Sequence, residues 1–223
     1  MSTNFQSEAV LHCQKLFTFF MGFSVLLATV CSFADEEIED LIDIFESDGK
    51  VIAVLEGKKS VPFNLLPKEK VLWSDSKGYL GAFLTNQHFL VISTSSNAWR
   101  TLRLRTSASD NRVAVLSPYI ALLVTAGDRA LGFDARSNRF IETRLPLNDE
   151  LLFAKAEKYV AVVVTSSKAF GLAAGTWRFS EIPLGVRESV EAITTTSSKA
   201  TIRTSHRLLS FEAKSSRWNE HRL

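Results

Sequence analysis

Lys59, His88, Arg129, Lys168 and Arg207 each close a short polar turn that follows an apolar run. Brought around one axis, such groups would form a basic ring able to focus an anion or an acidic protein segment. Hairpin turns also favour polar residues, and Lys or Arg blunts strand edges, so ordinary turn chemistry is the competing reading. Carboxylates recur as well: Asp110, the pair Asp149-Glu150, and Glu188 with Glu191, all between apolar runs. Two acids at a suitable separation could hydrolyse a glycosidic bond, one protonating the leaving oxygen and the other acting as nucleophile or base. Solvated loop charge is the plainer alternative. Trp73 stands apart from the other tryptophans, either as a binding platform or as a plug for a central channel.

Beyond these candidates the chemistry is sparse. The chain has no Gly-rich phosphate loop, no G-x-S-x-G elbow, no H-E-x-x-H pair and no carboxylate-rich calcium loop. His12, His88, His206 and His221 are scattered, although His88 and His206 fall in equivalent turns. Both cysteines, Cys13 and Cys31, precede Asp35, so the rest of the chain has no thiolate ligand, thiol nucleophile or disulfide. The sequence therefore predicts no catalytic residue, no metal site and no cofactor. Its candidate binding face is Lys59, His88, Arg129, Lys168 and Arg207 with Trp73.

The elements that must position these groups are set by a repeat. An apolar run ending in threonine, a polar turn, a second apolar run and a small-polar turn with an aromatic recur four times, from Leu80, Ile120, Val160 and Lys199. The threonines are Thr85, Thr125, Thr165 and Thr204, spaced 40, 40 and 39 residues apart. A fixed period of this size signifies stacked supersecondary units. Val160–Val164 is continuously apolar, too short and too β-branched for a helix, and suits a strand covered on both faces. Turns of hairpin length separate it from the next run, and Asp134–Asn138 and its counterparts supply a further tight turn.

Each unit thus reads as four antiparallel strands, A to D from a central channel outwards, which is the plan of a β-propeller blade. The fold class predicted is all-β, a β-propeller of about five blades closing into one ring. The aromatics Trp99, Phe140, Trp177 and Trp218 are expected between blades. A degenerate first unit, Ile42–Phe45, Val51–Leu55 and Ser60–Leu66, matches strands A to C, with Glu56 in the threonine position and no outer strand. Two alternatives stand at this point: a β-sandwich, and a short amphipathic helix over Asp35–Glu46.

At the aromatic turns a resemblance emerges. Phe133-Asp134-Ala135-Arg136-Ser137-Asn138-Arg139-Phe140, Ser96-Asn97-Ala98-Trp99 and Ser215-Ser216-Arg217-Trp218 resemble the end of a Kelch-type blade and are similar to the tryptophan-ended blades of quinoprotein-type propellers. The Gly-Gly pair of the second Kelch strand is absent, and so are the Trp-Asp and Gly-His signatures of another large propeller class. The resemblance implies a fold and carries no activity.

An uncharged run, Leu16–Ala34, follows Lys15 and ends in Ser32-Phe33-Ala34 before Asp35-Glu36-Glu37. Small residues at the −3 and −1 positions suit a signal-peptide cut; the same run is long enough to remain as a membrane anchor. The expected organisation is a leader over 1–34 and a propeller domain over 35–223, exported to the periplasm or the cell exterior. Hydrophobic content of 46% and 22% charged residues exclude wholesale disorder, and a net charge of +2 gives no indication of nucleic-acid binding. Eight acidic residues and no Lys or Arg lie between Asp35 and Asp48, a stretch that could itself fold over a basic face. The function expected is a non-enzymatic interaction or assembly module with a protein partner or acidic ligand. It would touch a membrane only through the N-terminal segment. A carbohydrate-active enzyme or sugar binder using the loop acids and Trp73 is the alternative.

Overall fold

A computed structural model describes residues 38–57, 60–96, 98–104, 112–125 and 128–223, which belong to one compact unit, Ile38–Leu223. The leader, Lys59 and Asp110 lie outside the described residues. Among those described there is no helix. Nineteen strands form five antiparallel meanders. Blade I holds β1 (Ile42–Ser47), β2 (Lys50–Leu55) and β3 (Ser60–Asn64). Blade II holds β4 (Val71–Lys77), β5 (Leu80–Thr85), β6 (His88–Ser93) and β7 (Arg100–Arg103). Blade III holds β8 (Val113–Leu116), β9 (Ile120–Val124), β10 (Arg129–Asp134) and β11 (Arg139–Arg144). Blade IV holds β12 (Leu151–Ala156), β13 (Val160–Thr165), β14 (Lys168–Ala173) and β15 (Ser180–Pro183). Blade V holds β16 (Val190–Thr196), β17 (Lys199–Thr204), β18 (Arg207–Glu212) and β19 (Arg217–Arg222). Strands pair in chain order within each sheet, and consecutive sheets pack face to face, so the fold is that of a β-propeller. The strand reading of Ile42–Phe45 holds over the alternative of a short helix: Ile42–Ser47 pairs with β2 across the Asp48-Gly49 turn. Both turn residues have positive φ, 49° and 72°, the backbone that a two-residue hairpin loop requires.

Blade I lacks its inner strand, not its outer one. In every other blade the N–H just after strand C donates to the carbonyl just before strand B: Thr94 to Tyr79, Ala135 to Tyr119, Ala174 to Tyr159, Ala213 to Ser198. Glu56 donates to Leu41 in the same way. The aliphatic residue closing strand D donates into the B–C turn, Leu104 to Gln87 and Leu184 to Ser167, and Leu65 does so to Gly49. β1, β2 and β3 are therefore strands B, C and D. Ser47, not Glu56, holds the threonine position, and a hydroxyl residue thus ends strand B in four blades and directly follows it, as Thr125, in blade III.

The core is a series of layers between neighbouring blades. Leu80, Val91, Leu123 and Phe133 join blades II and III; Leu122, Ala161, Phe170 and Leu172 join III and IV; Val162, Leu184, Ile202 and Phe211 join IV and V. Ile42, Ala53, Leu55 and Ile92 join blades I and II. Strands β5, β9 and β13 are buried along their whole length because a blade covers each face. Fully burying one such Leu or Val contributes about 1.5–3 kcal/mol.

The succession does not close into the expected ring. In β17 only Ala200, Ile202 and Thr204 are buried, while Lys199 and Arg203 are exposed; in β1 Asp43 and Phe45 are exposed. The five blades form an open arc whose two end faces meet solvent. The sequence encodes this, since KATIRT alternates polar and apolar where VAVVVT does not.

The aromatic seam between blades also departs from expectation at one position. Trp99 lies 5.7 Å from the Phe83 ring and donates from Nε1 to Val61 O in the preceding blade. Phe140 reaches Phe89, and Trp218 donates from Nε1 to Ser180 O. In blade IV the seam residue is Phe179, 8% exposed and packed in the core between blades III and IV. Trp177 stands two residues earlier and is 74% exposed.

Candidate functional site

In an antiparallel meander the A–B and C–D turns share one end of the blade, and the B–C turns and D–A connections share the other. The repeated threonines build the second end. Thr85, Thr165 and Thr204 are buried; each Oγ1 accepts the N–H of the residue three further on and donates to a carboxylate sixteen residues earlier, Glu69, Asp149 or Glu188. In blade III, Thr125 uses Asp128 of its own turn. Each clasp pins a B–C turn, and three of them also pin the D–A connection beside it.

Glu188 receives two bonds from Arg207 (Nε 2.8 Å, Nη2 2.9 Å), which, with the Gly185 N–H and Thr204, outweigh burial and lower its pKa to about 2. Burial opposes ionisation of Glu69 and Asp149, yet donors outweigh it and hold both below the ordinary carboxyl range. For Glu69 these donors are Thr85, the Leu66 N–H and His88; for Asp149 they are Ser167 and Thr165. A carboxyl held ionised in this way is poorly matched to general acid work near neutral pH. Glu191 pairs with Arg203 at 3.1 Å, and Glu150 is exposed.

The sequence-derived cations occupy equivalent places: His88, Arg129, Lys168 and Arg207 each open strand C of their blade. In blade I that residue is Lys50. Carboxylates accompany the four. His88 bonds Glu69 at 2.8 Å, Arg129 bonds Glu142 at 3.2 Å, Lys168 bonds Glu181 at 3.2 Å, and Arg207 bonds Glu188 and Glu220. Much of the field that a basic ring would project is offset in blades II to V. Trp73 packs against the core between blades II and III, pairing in register with Leu84. His206 bonds Ser205, and His221 lies on exposed β19.

What sequence reasoning missed at this end is apolar. Among the described residues, six of nine exposed large hydrophobics lie on D–A connections or at the start of strand A: Leu66, Leu72, Val113, Leu147, Leu152 and Val186. Register shifts at Val71/Trp73 and Leu151/Phe153 leave Leu72 and Leu152 as the extra residues of bulges, which turns them outwards. Leu147 is 79% exposed and Val186 is fully exposed. The signal was present in the sequence, because an apolar residue precedes each clasp acid by two or three positions.

The opposite end carries an aromatic ladder. Tyr79, Tyr119 and Tyr159 stack with ring centroids 4.9 and 5.2 Å apart, and the Arg136 guanidinium lies 4.9 Å from Tyr119 and 5.3 Å from Tyr159. These are the chain's three tyrosines, each 40 residues from the next. That spacing alone could have found them. Beside the ladder's blades, the C–D turns of blades IV and V and Thr143 of blade III enclose an open cleft of about 820 Å³ containing Trp177.

No protein-family model and no curated protein matches the sequence. Similar solved structures include BamB from Moraxella catarrhalis, at 13% identity and TM-score 0.40 over 84% of this chain and 66% of that one. The N-terminal domain of Nup159 aligns at 9% and 0.38 over 84% and 60%, and Prp20p from Saccharomyces cerevisiae at 8% and 0.39 over 79% and 56%. The chain spans 56–66% of the length of these three. The propeller assignment rests on this chain's own strand order and blade packing.

Proposed function

We propose that the protein is an exported, non-enzymatic interaction or assembly module that docks a protein partner on its D–A end. The observation that carries this is the set of apolar side chains standing in solvent there, on loops that the threonine–carboxylate clasps hold in place. Exposed apolar groups gathered at one end of a rigid scaffold mark an interaction site. A preformed loop also loses little freedom on binding. The partner surface fitting them is apolar at its centre with a polar rim. Export rests on the Leu16–Ala34 run and the Ser32-Phe33-Ala34 junction.

Photo-crosslinkers at Leu147 and Val186, with Thr194 and Lys199 on the outer face of blade V as controls, test the docking face in native cells. One discrete partner band from the first pair, abolished by Leu147→Asp/Val186→Asp at an unchanged melting temperature, is expected. Equal labelling from both pairs would refute the assignment. Intact mass of the natively expressed protein tests export, and a soluble cytoplasmic species retaining Met1 would overturn it.

A further inference from the structure

The cleft at the outer rim of blades IV and V holds a side chain the fold does not need. The repeat gives the inter-blade position in blade IV to Phe179, which leaves Trp177 free and 74% exposed. The Arg139 guanidinium lies 4.6 Å from the indole centroid and backs it. Arg178 and Arg217 line the same cleft, and neither has an ion pair among the described residues. Arg129, Lys155, Lys168, Lys199, Arg203 and Arg207, by contrast, meet carboxylates. The one acid in the lining, Glu181, is engaged by Lys168 at 3.2 Å. The cleft is therefore cationic and aromatic. Thr176, Ser215 and Ser216 donate their hydroxyls to backbone carbonyls, so their oxygens keep capacity to accept.

The chemistry of the ligand follows from these groups. Two unpaired guanidinium forks match the geometry of a carboxylate or sulfate. A flat indole backed by a cation offers a stacking surface for the C–H face of a sugar ring, and hydroxyl oxygens suit a polyhydroxylated molecule. The volume falls in the range of small-ligand sites. An extended peptide is disfavoured because β15, the outer strand bordering the cleft, has little to offer a new strand. Its carbonyls at Ser180 and Pro183 are occupied by Trp218 Nε1 (3.0 Å) and Arg207 Nη2 (2.6 Å), and Pro183 has no N–H.

We propose that this cleft binds an acidic saccharide, with a sugar ring stacked on Trp177 and its anionic group held by Arg178 and Arg217. The site is separate from the D–A end and does not depend on what docks there.

Calorimetric titration of the full chain with tetragalacturonate tests it, alongside the methyl-esterified tetramer, a sulfated chondroitin tetramer, tetraglutamate and a single-stranded DNA tetramer. Saturable binding of the uronate or the sulfated tetramer is expected, and comparison of the two identifies the anionic group. Trp177→Ala and Arg178→Gln/Arg217→Gln should each weaken it by about tenfold or more, as should esterification, which is about 1.4 kcal/mol per tenfold step. A single cooperative melt within a few degrees of the parent's would show that both variants fold. Tetraglutamate or the DNA tetramer binding as tightly as the saccharides would overturn the proposal in favour of a peptide or nucleic-acid site. Full retention of saccharide affinity in Trp177→Ala, or no saccharide binding at millimolar concentration, would overturn it outright.

Discussion

Phe179 and Trp177, two residues apart in one turn, should respond to truncation in opposite ways. Phe179 is 8% exposed, sits in the layer joining blades III and IV, and its ring lies 3.4 Å from where a Cβ on Gly132 would stand. Replacing a packed Phe by Ala costs about 3–5 kcal/mol, and a position at the rim of the layer belongs near the lower figure, about 3 kcal/mol. For a folded unit of this length each kcal/mol moves the melting temperature by about 2–4 °C, so Phe179→Ala should lower it by about 6–12 °C. Trp177→Ala removes an exposed side chain and one surface cation–π contact, worth about 0.5–1 kcal/mol. Its shift should stay within about 1–4 °C. Differential scanning calorimetry of both variants and the parent at one concentration makes the comparison. A Trp177→Ala melt as low as that of Phe179→Ala would refute the register of β15 and the seam built on it.

Other perturbations probe the blade interfaces and the clasps. A Cβ on Gly171 would stand 2.6–2.8 Å from three ring atoms of Phe211, so Gly171→Ala should destabilise by about 1–3 kcal/mol in urea titration. Glu188 is depressed from 4.5 to about 2, so its contribution is complete above about pH 4.5 and is lost as pH falls towards 2. The full linkage value is about 3 kcal/mol, and solvent screening at a partly exposed Arg207 reduces this to about 1–2 kcal/mol. Stability of Glu188→Gln should accordingly fall less steeply than the parent's across that window. Asp75 runs the other way: burial raises its pKa, so ionisation above 3.8 costs stability, and Asp75→Asn should melt slightly higher at neutral pH.

Much of the fold was legible because the B strands announce themselves. Three continuously apolar runs ending in threonine fix the period, and the alternating KATIRT run shows in advance that one face of blade V is bare. The missing inner strand of blade I was not legible, because Val51–Leu55 is as apolar as a B strand and Glu56 falls where a threonine could be sought. The carbonyls taken by the Glu56 and Leu65 N–H groups, Leu41 and Gly49, separate strand C from strand B there. Trp177 misled for a related reason: tryptophan outranks phenylalanine as a marker, while the 39-residue spacing from Phe140 through Phe179 to Trp218 was the better guide. The candidate cations were visible, but their carboxylates were not. Arg129, Lys168 and Arg207 meet Glu142, Glu181 and Glu220, each thirteen residues on, across a strand pairing that no local pattern reveals.

An open stack of sheets faces a hazard that a ring does not, since either end could go on adding sheets. Blade V answers it with chemistry. Its inner face offers Ala200, Ile202 and Phe211 to Val162 and Leu184, whereas its outer face presents Thr194, Lys199 and Arg203, with Lys199 and Arg203 held by Glu212 and Glu191. Without this blade, the apolar surface of β13 would become an unprotected sheet, the kind of surface on which chains aggregate. Blade V thus presents a polar outer face of the kind that terminal repeats carry in solenoids. Blade I has no equivalent: Phe45, 46% exposed, sits mid-face with Ile52 beside it, so any growth of the array would start from that end.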